Sequence, residues 1–151
     1  MRQADPAVRN LARRLLAHEA GSGGQGLEAL ADAAERACEK LRLHLSKILG
    51  QAGFQALLAR ALTLATAEFS WLTQGRAERD GSLTGLRAAA EGRNPAEATA
   101  GFAAVLGHIL GLLVVFIGDD LTGRLVRQVW PEAEPGESVS PGSEDEAKGQ
   151  R

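Results

Sequence analysis

The side chain with the widest chemical repertoire in the least ordinary setting is His108. It sits inside Ala98–Gly118, twenty-one residues without a formally charged side chain. There a neutral imidazole suits a ligand, a general base or a pH-sensitive group. No carboxylate or second histidine stands three or four positions away. The local pattern therefore favours a hydrogen-bonded core histidine, and any acid–base partner has to come from elsewhere in the fold.

The remaining polar residues point to structure rather than to chemistry. Asp119 and Asp120 could contribute oxygens to a divalent cation, but two acids at a helix start are already explained by capping and the helix dipole. Cys38 and His44 are about 240° apart around a helix and do not converge. Ser70, Thr73 and Ser82 carry no nucleophile signature. No catalytic residue, no metal site and no cofactor is therefore assigned, and enzymatic activity is not expected.

Two other features mark places of contact. Gly107 and Gly111 form a GxxxG pattern, which in lipid lets two helices approach closely. Trp71 and Trp130 place an aromatic at each of two helix ends, as core plugs or interface anchors. The candidate interface or pocket residues are thus Gly107, His108, Gly111, Trp71 and Trp130.

The elements that position them read as helices. The 151 residues suit one domain, over 1–130. With aromatics at 4% and no Tyr, the core must be mainly aliphatic, which favours helix packing over sheets. Asp5 as N-cap and Pro6 at N1 start a first helix reaching about Glu19. Gly21-Ser22-Gly23-Gly24-Gln25-Gly26 follows as a flexible connector. Leu27, Leu30, Ala34, Leu41, Leu45 and Ile48 line one helical face, and Phe54 to Phe69 continue that spacing beyond Gly50 and Gly53. This predicts a helical hairpin. Ser82 is expected to cap a short helix ending near Glu91.

Asn94-Pro95-Ala96-Glu97 is the strongest start signal, with Glu97 placed to reach back to the cap. The helix it opens is the apolar one, and Gly118 kinks or restarts it. Leu121, Leu125, Val126 and Val129 then give a last apolar face before Pro131. The fold expected is all-α, a bundle of about five to six helices around a central apolar helix at about 95–118.

Charge adds exclusions. Residues 131–151 hold six acids against Lys148 and Arg151, a composition expected to form a disordered acidic tail. The rest is close to neutral, so no nucleic-acid partner is implied. Arg36, Lys40, Arg42 and Lys47 alternate with Glu28, Asp32, Glu35 and Glu39 as a solvated face. A lone cysteine and the lack of an apolar leader fit the cytoplasm, and the excess of arginine over lysine hints at a bacterial source.

Three functions remain in play. The first is a small helical interaction or adaptor module that associates with itself or with a protein partner. The alternative is a membrane-associated protein inserting 98–118, whose roughly 31 Å matches a bilayer core. The third is a ligand-binding bundle with a pocket near His108.

Overall fold

The structure is a computed structural model, and it describes residues 6–21 and 26–132. The expected N-cap Asp5, most of the glycine-rich connector and the acidic tail beyond Glu132 lie outside those residues. The described residues form four α-helices: α1 (Pro6–Ala20), α2 (Leu27–Glu68), the one-turn α3 (Leu86–Ala89) and α4 (Pro95–Val129). A 3₁₀ turn at Ser70–Gln74 and a two-residue antiparallel ladder, β1 (Arg76–Ala77) with β2 (Leu83–Thr84), connect α2 to α3.

Against the expected five to six helices, the described residues form four, two of which, α2 and α4, each join two helical arms across a glycine with non-helical geometry. The anticipated breaks at Gly50 and Gly118 are single-residue turns within otherwise continuous helices. Their φ angles of 81° and 91° lie in the left-handed region that glycine enters without steric cost. Each turn folds its helix back on itself. Glu35, on the first arm of α2, accepts from the backbone N–H of Leu86. Leu62, on the second arm, and Leu86 both lie against Gly75. A straight helix would separate Glu35 from Leu62 by about 40 Å.

In α4 the reversal follows from its two ends. Pro95 and Thr99 share a cleft with Ala17 and Ala20 of α1, while Trp130 donates to Glu19 of the same helix at 2.8 Å. An unbent helix of 35 residues would hold those ends about 52 Å apart.

The directions of the arms place both turns together. Leu30 lines the cleft that holds Pro95 and Thr99, so the first arms of α2 and α4 start side by side. The second arm of α2 returns to end at Glu68 against His108 of α4. Gly50 and Gly118 therefore lie at one end of the bundle, about 30 Å from where the arms begin. We refer to it as the turn end.

The apolar helix is central over half its length. Every residue from Gly101 to Leu110 is buried, covered by Leu11, Ala12, Leu15 and Leu16 of α1 and by Phe54, Leu58 and Leu62 of α2 in one core. Its start is capped as the sequence implies, Asn94 Oδ1 accepting from the Glu97 N–H at 2.8 Å. The Glu97 carboxylate does not reach back to the cap; it takes Arg93 instead at 3.3 Å.

Three local expectations are corrected. The Ser82 helix is absent, because Ser82 instead turns the chain by bonding Asp80 through both its N–H and its hydroxyl. The short helix starts later, after Gly85. Leu121 and Ile48, assigned to apolar faces, are exposed, since both lie beside the turns, where the shell ends.

Candidate functional site

The carboxylate that His108 lacks locally comes from the end of α2. His108 is 4% exposed, and its Nε2 lies 2.6 Å from Oε2 of Glu68. An ionised carboxylate only accepts, so Nε2 carries the proton. Arg9 of α1 reaches the same carboxylate, its Nη2 at 3.2 and 3.3 Å from the two oxygens. Gly107 adjoins this pair, and a Cβ there would lie at ordinary contact distance, 3.4 Å from Arg9 Nε and 3.8 Å from the Ala12 methyl.

Glu68 is thus shared by α1 and α4, and with Arg9 on both of its oxygens it is engaged as an anchor. Two surface clefts lie elsewhere. One of about 350 Å³ runs between α1 and the start of α4 along Leu16, Ala17 and Pro95. One of about 560 Å³ follows Ala59, Thr63 and Thr66 to Gly75. Neither has His108 in its lining. Among the described residues no three His, Cys, Asp or Glu side chains converge in a way that could hold a metal ion.

The two tryptophans serve different regions. Trp71 stands edge-on to Phe102 at 5.8 Å and to Phe69 at 6.3 Å, with the Arg93 guanidinium 5.9 Å from its ring. The absence of a side chain at Gly101 admits the indole, which a Cβ would meet at 2.3 Å. Trp130 instead closes the last arm of α4 onto Glu19, which also receives Arg36 at 3.3 Å and Lys40. Burial works to raise the Glu19 pKa, but bonds from Lys40, Trp130 and Arg36 outweigh it and hold the carboxyl below its ordinary range.

Of the five residues picked from sequence, Gly107 and His108 meet at the Arg9–Glu68 anchor. Trp71 lies nearby on the α4 face that carries Gly101 and Phe102. Trp130 belongs to a separate node, and Gly111 is half-buried at the edge of the core.

Sequence reasoning missed the turn end. Beyond Leu113 the apolar helix leaves its shell, and Val115 and Phe116 stand 76% and 62% exposed, with Leu121 at 51% just past the turn. Leu43 and Ile48, on the arm that approaches Gly50, are 55% and 64% exposed. These five are the large apolar side chains exposed among the described residues. A signal for them was present in Asp119 and Asp120, whose charges mark that stretch as reaching solvent.

By length and composition α2 and α4 could each cross a membrane, as buried core helices of soluble proteins also could. The chain matches no family model, no curated protein and no solved structure.

Proposed function

We propose that this protein is a small helical interaction module that self-associates through its turn end. The observation behind this reading is the exposure of Leu43, Ile48, Val115, Phe116 and Leu121 beside the two turns, while among the described residues the other large apolar side chains are at least partly buried. Fully burying one such side chain yields about 1.5–3 kcal/mol. Covering several together offsets the several kcal/mol that association costs in lost freedom. An apolar cluster at one end of a soluble bundle is the expected form of a contact surface.

The anchors at Glu68 and Glu19 fit the same reading, since they tie α1, α2 and α4 together and so present the turn end on a rigid support. The cytoplasm is the compartment that suits such a module.

The test is the mass of the full chain across a concentration series by sedimentation equilibrium. The reading expects a dimer or larger species, shifted towards monomer by Val115→Glu or Phe116→Glu with unchanged helical circular dichroism. A monomer at every concentration overturns it. Membrane insertion of 98–118 makes a different prediction, because the cellular protein would then resist extraction by alkaline carbonate. That reading is supported by the length and hydropathy of α4, and it would require Gly101–Leu110 to leave their packed shell.

A further inference from the structure

We propose that the occupant of the turn end is a second copy of this chain, docked about a two-fold axis so that the Gly50 turn of each copy meets the Gly118 turn of the other. The inference rests on the self-association reading above and adds the geometry and the charges that select the partner.

The turn end carries two apolar patches with opposite charges. Leu43 and Ile48 flank Lys47 on α2, and all three are exposed. Val115, Phe116 and Leu121 surround Asp119 and Asp120 at the α4 turn, also exposed. Among the described residues neither Lys47 nor the two aspartates has an ion-pair partner within the chain.

A two-fold contact pairs one patch with the other twice, because whatever the first copy presents to the second is presented back. Apolar side chains then meet apolar side chains in the middle. Lys47 of one copy faces Asp119 and Asp120 of the other on both flanks, which fixes register and disfavours other partners.

Other occupants fit less well. Two carboxylates lie between Phe116 and Leu121, so seating this surface in lipid would carry them into a region where carboxylates are costly and where anionic headgroups repel them. The chain's own residues 133–151 contain one large apolar side chain, Val139, too little to cover five. Their acidic excess also opposes Asp119 and Asp120.

The experiment uses sedimentation equilibrium on four full-length proteins: the natural sequence, Lys47→Glu, the double variant Asp119→Lys with Asp120→Lys, and a chain carrying all three changes. In either variant alone both flanks become like-charged, and the dimer should weaken by at least about tenfold. Mixed one to one, the variants restore both flanks at once, so a heterodimer should form within about threefold of the natural affinity, with the effect shrinking in high salt.

Circular dichroism and melting confirm that each variant folds. A rescue confined to a chain carrying all three changes, and absent from the mixture, would show the charges pairing within one copy and overturn the proposal. A natural protein that dimerises indifferently to both variants also overturns it, while leaving self-association standing. A natural protein that stays monomeric, or that remains monomeric while binding phosphatidylcholine vesicles, removes the self-association reading and this inference with it.

Discussion

Glu68 shows how much a single residue can gather. It accepts from Arg9 and His108 across two interfaces, so removing it strands two donors in a largely closed site. Leaving a buried donor unsatisfied costs about 1–3 kcal/mol, and more when the donor is charged. Glu68→Ala should therefore lose at least that much stability in urea titration, and Glu68→Gln less, because one amide oxygen still accepts. An unchanged midpoint for the alanine variant would mean that the cluster holds nothing together.

Cys38 makes a contrasting case. Burial beside Glu35 and Glu39 pushes its thiol up to about 12, so at pH 8 only about one thiol in ten thousand is the reactive thiolate. A disulfide reagent should label it slowly in the native protein and rapidly in denaturant. Fast native labelling would contradict its packing.

At the scale of elements, two glycines of the apolar helix have opposite roles. At Gly101 an added methyl would overlap the Trp71 indole, which Phe69, Phe102 and Arg93 hold in place. Overpacking of this kind costs about 1–3 kcal/mol, and Gly101→Ala should show it as a lowered melting temperature. At Gly107 the nearest atom is the movable end of Arg9, at ordinary contact distance. Gly107→Ala should be neutral or stabilise by up to about 1 kcal/mol, the gain in helix propensity over glycine. A membrane pairing through GxxxG predicts the reverse for Gly107, so the two variants together separate burial from insertion.

The elements themselves were largely legible. The helix start at Pro95, the turns at Gly50 and Gly118, and most of the apolar faces of α1 and α2 follow from periodicity and capping. What stayed hidden was long-range. No local pattern pairs Glu68 with His108, forty positions apart, and the exposure of Ile48 and Leu121 depends on where the shell stops. The Ser82 helix failed for a different reason, since an Asp80–Ser82 turn competes for the same hydroxyl and N–H.

For the molecule as a whole, Glu19 links the three long helices through Arg36, Lys40 and Trp130. Its folded-state pKa is depressed, so the stability it contributes is present above the ordinary value of 4.5 and is lost as pH falls through the lower folded value. Glu35 acts in the opposite sense, its pKa raised by burial despite the Leu86 N–H, and it slightly favours the fold in acid. Melting temperature in the natural protein should drop below about pH 4.5. Glu19→Gln should melt lower at pH 7 and show a shallower acid decline. Parallel pH profiles for the two proteins would place the acid sensitivity elsewhere.

The bond between Glu19 and Trp130 spans 111 positions, and it closes a fold whose last arm is made last. During synthesis α1 and α2 leave the ribosome well before the segment that completes their shell. The uncharged run from Ala98 to Gly118 emerges after them and immediately before the last arm of α4. Contacts this distant in sequence form late and leave apolar surface open to wrong partners in the meantime. The well-buried centre of the mature protein thus depends on contacts that the growing chain can complete only at the end.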